Sequence, residues 1–298
     1  MSTSLLLNPD HMLFATVPSV IIVLFAVSLL LSSLGFARTV YFISTGYGLS
    51  VAGVAFFSFV FYRTTGNLAA LLHMALILVY GFRLATYLTV RERKASFRTE
   101  RAETDRTYAV TSPFARFGIW IGVSLLYVAM ASPVLFHFSA LNAESHGTAA
   151  LVDAVRGGAS GAAFVVTAGL LVGYCGLAIE WISDRQKARL KRREPSAFCR
   201  SGLYRLVRYP NYFGEIVVWL GSYLAGIPFY TSWVAWILST IGLLTIVLIM
   251  LGSAKRLEQK QSGRYGAEPE YQEYIRKVPI LIPLVPLYSL AKLRVYLG

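Results

Sequence analysis

The chain has 298 residues, of which 56% are hydrophobic and only 14% are charged. This composition excludes a disordered protein, and the presence of only two cysteines excludes a small secreted scaffold held by disulfides. The formal net charge is +13, which in so apolar a chain indicates basic cytoplasmic loops rather than nucleic-acid binding.

Several apolar runs reach the roughly 20 residues that a helix needs to cross a bilayer, which predicts an all-α, polytopic membrane protein. We expect about seven transmembrane helices with short basic cytoplasmic loops, in a single membrane domain over residues 1–298. The predicted spans are Phe14–Phe36, Val40–Tyr62, Leu68–Leu88, Phe117–Phe138, Ala162–Ile182, Tyr212–Tyr230 and Trp233–Leu251. A further apolar segment, Val278–Leu290, is too short to cross and contains three prolines. We expect it at the interface or packed on the bundle.

Most of the 28 lysines and arginines follow the third, fifth and seventh spans, in the stretches Arg91–Arg116, Arg185–Arg208 and Lys255–Lys277. With seven spans, these three stretches lie on one side of the membrane. Because cytoplasmic loops carry the excess of lysine and arginine, we predict an external N-terminus and a cytoplasmic C-terminus. The expected location is a bacterial inner membrane.

The third predicted span carries polar side chains on one helical face. His73, Tyr80, Arg83 and Tyr87 are spaced so that they share that face. A face that presents a guanidinium between two tyrosines can line a polar ligand cavity. The residues also have structural interpretations. His73 can be a core histidine, Arg83 can reach to the interface, and Tyr87 can be an interfacial aromatic.

The beginning of the sixth span contains the second polar cluster. Asn211 follows Pro210 and suits a helix N-cap, where its side chain accepts from a backbone amide. Glu215 lies within the first turns of an apolar helix, where a carboxylate is costly and therefore indicates a function. The positive end of the helix dipole offsets part of that cost.

Common cofactor and metal motifs are missing from the sequence. The chain has no Gly-rich phosphate loop, no HExxH and no Cys/His cluster with metal spacing. We therefore expect no metal, and a phosphorylated cofactor would have to be held by arginine and lysine side chains together with helix ends.

Three segments carry a pattern that extends over about two thirds of the chain. The stretch Gly202–Glu215 ends in Asn-Tyr-Phe-Gly-Glu, Tyr80–Tyr87 places an arginine between two tyrosines, and Tyr274–Pro283 pairs a tyrosine with a closing Ile-Pro. Together they resemble the steroid 5-alpha-reductase family (3-oxo-5-alpha-steroid 4-dehydrogenase-like). They look closest to a bacterial branch of largely unassigned function. The similar region spans residues 68–298.

This resemblance implies an NADPH-dependent oxidoreductase acting on CH-CH groups. Hydride would pass to a conjugated C=C bond of an apolar enone, such as a 3-oxo-Δ4-steroid or a related lipid. By position, Tyr80 matches the catalytic tyrosine, whose neutral hydroxyl polarises the substrate carbonyl. The cofactor-binding residues that the resemblance implies are Arg83, Tyr87, Asp184, Lys191, Asn211, Glu215, Arg256 and Tyr274. The expected partners are this apolar substrate and membrane lipids, with no nucleic acid and no obligate protein partner.

The chain departs from the family pattern at three places, which leaves the substrate open. The family has a glutamate in span two that acts with the tyrosine, whereas span two here offers Ser44, Thr45, Tyr47 and Ser50. Position 180 is a glutamate where an asparagine is usual, and residues 259–270 do not align cleanly.

The main alternative is an S-adenosylmethionine-dependent membrane methyltransferase of the isoprenylcysteine carboxyl or phospholipid type. Those enzymes resemble this chain at an Arg-His-Pro signature, which is Arg208-Tyr209-Pro210 here, and favour a Glu-Glu pair where this chain has Glu258-Gln259. The Gly214-Glu215 pair favours a reductase. A non-enzymatic lipid-binding scaffold or transporter would bind neither cofactor saturably.

Overall fold

The fold is entirely helical in the part of the chain that the computed structural model describes, which is residues 9–63, 67–93, 102, 105–106, 110–145 and 159–293. These residues contain no strand, and the predicted all-α class is confirmed. The principal helices are α1 (Pro9–Ser32), α2 (Thr45–Tyr62), α3 (Leu68–Glu92), α4 (Pro113–Ser145), α5 (Ala159–Arg193), α6 (Pro210–Gly226), α7 (Trp233–Tyr265) and α8 (Pro269–Lys277).

Within the residues that the structure describes, seven helical segments are long and apolar enough to cross a membrane, which agrees with the predicted number of spans. The chain is therefore an integral, multi-pass membrane protein. The orientation of the termini and the inner-membrane location stay predictions. The segments are Ser19–Phe36, Thr39–Tyr62, Leu68–Glu92, Pro113–Asn142, Ser160–Arg193, Pro210–Phe229 and Trp233–Tyr265.

Two helices continue well beyond the predicted membrane spans. Helix α5 runs on from the predicted end at Ile182 to Arg193, and α7 runs on from Leu251 to Tyr265. Much of the sequence expected as basic loop is therefore helix. Lysine, arginine, glutamine and glutamate are good helix formers, and cations are favoured at the negative end of a helix dipole, where Lys191 lies.

The chain forms two compact units. Unit 1 comprises Met1–Thr167 and Tyr223–Gly242, and unit 2 comprises Ala168–Ser222 and Leu243–Gly298. The prediction of one membrane domain stays a prediction.

In unit 1, α2 packs against α1, α3 and α4. Helices α2 and α3 touch through their backbones, because a methyl group on either Gly48 or Gly81 would overlap the carbonyl oxygen of the other. Small residues permit such close approach between membrane helices. Helices α1 and α4 are joined by serines, with 2.8 Å between the hydroxyl oxygens of Ser32 and Ser124.

An ion cluster ties the connection after α1 to the end of α3. The Arg38 guanidinium lies 2.6 Å from the Glu92 carboxylate and 2.7 Å from that of Asp105. Burial lowers the pKa of Arg38, but hydrogen bonds with Tyr41, Asp105 and Glu92 outweigh burial and raise that pKa above its ordinary value. Arg38 therefore stays charged.

In unit 2, α5 and α6 are also in backbone contact, at Gly176 and Gly214. A Cβ on Gly214 would lie 2.7 Å from the Glu180 nitrogen and 2.8 Å from the Gly176 oxygen. Neither position tolerates a larger residue unless the helices move apart. This contact sets the packing of the segment that carries Glu215.

The apolar segment Val278–Leu290 is not helical and packs against other residues of unit 2. This agrees with the expectation that it packs on the bundle. Its buried residues Ile280 and Leu290 lie in one hydrophobic cluster with Tyr209 and Ala254. The backbone amide of Tyr209 donates to the Ile280 carbonyl at 3.2 Å. The prolines of this segment explain why it does not continue as a helix.

Candidate functional site

Unit 1 contains a pair of buried tyrosines at the predicted catalytic position. Tyr80 of α3 is fully buried, and its hydroxyl oxygen lies 2.8 Å from that of Tyr47 on α2. The Tyr47 ring stacks on Tyr127 of α4, with 5.1 Å between ring centroids. Gly48 and Gly81 directly follow the two tyrosines, so their backbone contact brings the hydroxyls together. We call Tyr47 and Tyr80 the tyrosine pair.

The tyrosine pair holds two hydroxyl hydrogens, and the bond between the two oxygens uses one of them. Each neutral phenol carries a single hydrogen, and either oxygen can be the donor between them. If Tyr80 donates outward, its oxygen must accept from Tyr47. The neighbouring Tyr127 hydroxyl donates to the Phe42 carbonyl at 2.6 Å, so its hydrogen is committed elsewhere. A donor chain from Tyr47 to Tyr80 is one of the two directions that this contact allows.

The sequence singled out Tyr80 and gave Tyr47 of span two as the next candidate donor, but it did not predict that the two hydroxyls meet. The pairing depends on the register between α2 and α3, which residue spacing within one helix does not reveal. The glycine that follows each tyrosine was the available signal, since small residues mark close helix contacts.

The other polar residues of the α3 face are Arg83, Tyr87 and His73, and they lie in different surroundings from Tyr80. Arg83 and Tyr87 are half-buried, and the Arg91 guanidinium carbon lies 5.8 Å from the Tyr87 ring centroid. His73 is buried, with its Nδ1 atom 3.2 Å from that of His137 on α4. His73 is thus a core histidine packed against a second histidine, in agreement with its structural interpretation.

Unit 2 contains a cleft that brings two of the predicted cofactor residues together, Lys191 and Asn211. Three of its lining residues are cations, four are aromatic, and none is acidic. The lining residues are Lys187, Lys191, Phe198, Cys199, Tyr204, Arg208, Tyr209, Asn211, Gln261 and Tyr265. We call this feature the basic cleft.

Lys191 contributes charge to the basic cleft but has its donors in use. Its Nζ atom donates to the Pro195 carbonyl at 3.0 Å, to the Ala197 carbonyl at 2.7 Å and to the Tyr265 hydroxyl at 3.0 Å. An ammonium group has three hydrogens, and these bonds account for them. Lys191 therefore gives the basic cleft a positive charge but no free N–H donor.

The thiol and hydroxyl groups at the basic cleft add no negative charge. Burial raises the pKa of the Cys199 thiol, and the nearby Lys187 and Lys191 offset this only in part. Burial also raises the pKa of the Tyr209 hydroxyl, with Arg208 opposing it. Both groups stay neutral near pH 7, so the cations of the cleft face no anion among its lining residues.

The remaining predicted cofactor residues of unit 2 do not line the basic cleft. Asp184 and Glu215 are buried, and Arg256 is exposed on α7, where it contacts Ser253 of the same helix. Tyr274 is nearer, since its hydroxyl donates at 2.8 Å to the carbonyl of the lining residue Tyr204.

Two details of the cleft differ from the sequence-based expectation. Helix α6 begins at Pro210, so Asn211 lies within its first turn rather than at the N-cap. Proline is favoured at the first helical position, because it lacks the amide hydrogen that has no partner there. Arg208 was expected as one of many loop cations and as part of the Arg208-Tyr209-Pro210 signature, yet it lines the cleft and is 2% exposed.

Comparison with known proteins identifies a family without an assigned activity. No curated protein and no solved structure matches the chain. A family model described as a protein of unknown function, DUF1295, matches residues 25–278. This range covers most of the sequence, and the chain therefore belongs to the DUF1295 family.

Proposed function

We propose that this member of the DUF1295 family is an NADPH-dependent membrane reductase. Its reaction would reduce a conjugated C=C bond of an apolar enone, a 3-oxo-Δ4-steroid or a related lipid. The observation that carries the proposal is the tyrosine pair, two buried hydroxyls within hydrogen-bond distance, one of which belongs to the tyrosine that the resemblance gives as catalytic. The relationship of this family to the steroid 5-alpha-reductases supports it further.

The tyrosine pair has the chemistry that enone reduction needs. Negative charge builds up on the carbonyl oxygen as the double bond is reduced, so a donor to that oxygen binds the transition state more strongly than the substrate. In the proposal, Tyr80 donates to the carbonyl and Tyr47 donates to the Tyr80 oxygen, at the observed 2.8 Å. Hydrogen bonds in series polarise one another, so Tyr47 makes Tyr80 the better donor.

The charge of the basic cleft suits a phosphorylated cofactor, because its lining includes the cations Lys191 and Arg208 and no acidic residue. When bound, NADPH supplies the hydride. The residues proposed to hold it, from the resemblance, are Arg83, Tyr87, Asp184, Lys191, Asn211, Glu215, Arg256 and Tyr274. S-adenosylmethionine carries a positive sulfonium, which a cleft lined by cations disfavours. This contrast supports the reductase over the methyltransferase.

The decisive experiment uses the full chain purified in detergent. NADPH and S-adenosylmethionine are titrated side by side, with thermal unfolding as the measure of binding, since a ligand of the folded state raises the unfolding midpoint. NADPH oxidation is then followed with a panel of Δ4-3-ketosteroids and simpler apolar enones. We expect stabilisation by NADPH and enone-dependent oxidation. Stabilisation by S-adenosylmethionine alone would favour the methyltransferase, and binding of neither would favour a non-enzymatic role.

A further inference from the structure

We propose that the basic cleft binds a phosphate monoester dianion and that Arg208 is the principal donor to it. This inference rests on the proposed function and deepens it by naming the place in the fold where the phosphate binds and a residue, Arg208, that the resemblance does not assign to the cofactor. It depends on anion binding in unit 2 and not on hydride transfer, so the two can be tested separately.

The first argument is the burial of Arg208. A buried cation is costly unless its charge and its N–H groups are matched. Arg208 is 2% exposed, and its Nη2 atom lies 3.4 Å from the Glu258 carboxylate and also donates to the Tyr288 carbonyl. The other Glu258 oxygen accepts from the Leu290 amide at 2.9 Å. These contacts secure the C-terminal segment of unit 2 through one nitrogen of the guanidinium.

The second argument is what the other two nitrogens lack. The Nε and Nη1 atoms of Arg208 are buried and have no hydrogen-bond acceptor within the described part of the chain. Together they carry three N–H groups. Because Arg208 lines the basic cleft, a ligand in the cleft that brings oxygen atoms can supply these acceptors.

The third argument is the charge balance of the cleft. Lys187, Lys191 and Arg208 line it, and no lining residue is acidic. A carboxylate ligand would bring one negative charge and two oxygens, whereas a phosphate monoester brings close to two charges and three strong acceptor oxygens. Glu258 already pairs with Arg208 from outside the lining, so the phosphate matches the two lysines of the lining and the three N–H groups. The aromatic walls formed by Phe198 and Tyr265 suit the group that the phosphate is attached to.

The test is thermal unfolding of the detergent-purified full chain with matched probes. Adenosine 2′-monophosphate and inorganic phosphate carry the dianion, and adenosine lacks it. Micelles with phosphatidic acid or phosphatidylcholine then distinguish a lipid phosphate from a nucleotide phosphate by competition. We expect both phosphate probes to raise the unfolding midpoint and adenosine to leave it unchanged.

Three variants connect the binding to Arg208. Arg208→Gln removes the donor, but it also breaks the contacts to Glu258 and Tyr288. Gln261→Glu avoids this difficulty, since it places a carboxylate in the cleft lining without removing a buried group. Arg205→Gln is the control, because Arg205 is exposed and outside the lining. We expect the dissociation constant for phosphate to rise at least about tenfold in the first two variants and to stay unchanged in the control.

The outcomes separate this inference from the reductase proposal. Failure of every phosphate probe to stabilise the wild-type chain would overturn it, and so would an unchanged dissociation constant in folded Gln261→Glu. Displacement of the nucleotide by phosphatidic acid would support the site with a lipid phosphate as its ligand. Phosphate binding by a chain that reduces no enone would support this site and contradict the proposed reductase activity.

Discussion

The hydroxyl oxygens of Tyr47 and Tyr80 lie 2.8 Å apart because the glycine after each tyrosine lets α2 and α3 meet through their backbones. Two membrane helices with larger residues at Gly48 and Gly81 would be held further apart. The tyrosine pair is therefore a consequence of helix packing, and it can be tested both at the hydroxyls and at the glycines.

Tyr80→Phe separates chemistry from binding. The substitution keeps the ring and its packing but deletes the hydrogen that would go to the carbonyl oxygen. We expect the rate of single-turnover enone reduction to fall by about 10²–10³, the typical effect of losing one such donor. NADPH affinity should remain close to that of the wild type. Enone reduction at the wild-type rate would show that Tyr80 is not the carbonyl donor.

Tyr47→Phe tests the inner member of the pair. It retains the ring that stacks on Tyr127 and removes only the donor to Tyr80. The loss of one neutral hydrogen bond corresponds to about 1 kcal/mol, so we expect a five- to tenfold slower reduction. Because Tyr47 acts through Tyr80, the double variant should reduce enones no more slowly than Tyr80→Phe alone. Independent, multiplying effects would contradict the donor chain.

Gly81→Ala tests the helix contact itself. The added methyl group would overlap the Gly48 carbonyl oxygen, and overpacking of this kind costs about 1–3 kcal/mol of folding stability. We expect a lower unfolding midpoint and a loss of reduction similar to that of Tyr47→Phe. Gly118→Ala is the matched control, since no described atom beyond its own stretch of helix lies within 4 Å of a Cβ built at that position. Equal midpoints for the two variants would argue against the contact.

Glu215→Gln tests a predicted cofactor residue. Glu215 is buried, and hydrogen bonds to charged groups contribute about 1.5–3 kcal/mol, which corresponds to a rise in the NADPH dissociation constant of at least about tenfold. We expect weaker binding to appear before any effect on the chemical step at saturating NADPH. Glu194→Gln makes the same charge change at an exposed site and should leave the dissociation constant unchanged. A slower reaction with an unchanged NADPH dissociation constant would assign Glu215 to the chemical step and not to cofactor binding.

The orientation of the chain gives a prediction that is independent of catalysis. Lysine and arginine collect after alternate spans, so a reporter fused after Gly298 should be cytoplasmic and a tag before Met1 should be external. The measurement is compartment-specific reporter activity and tag accessibility in intact cells. Termini on the same side of the membrane would require an even number of spans.

The sequence by itself determined the membrane class and the number of spans. A span is recognised from the length of a continuous apolar run, and that length is a local property fixed by the thickness of the bilayer. The α3 face with Tyr80 could be predicted for the same reason, because helical periodicity places Arg83 and Tyr87 relative to it within one segment. The ends of α5 and α7 were placed too early, because a polar helix beyond the membrane lacks the apolar signal that marks a span.

Only the tertiary structure decided which side chains meet. The tyrosine pair requires a register between α2 and α3, and the basic cleft joins residues as distant in the chain as Lys187 and Tyr265. The burial of Arg208 depends on the C-terminal segment folding back over it. In the sequence, Arg208 is one cation among many in a basic stretch. The burial of Arg208 and its unmatched N–H groups arise from packing between distant segments. Residue spacing along the chain does not show such packing.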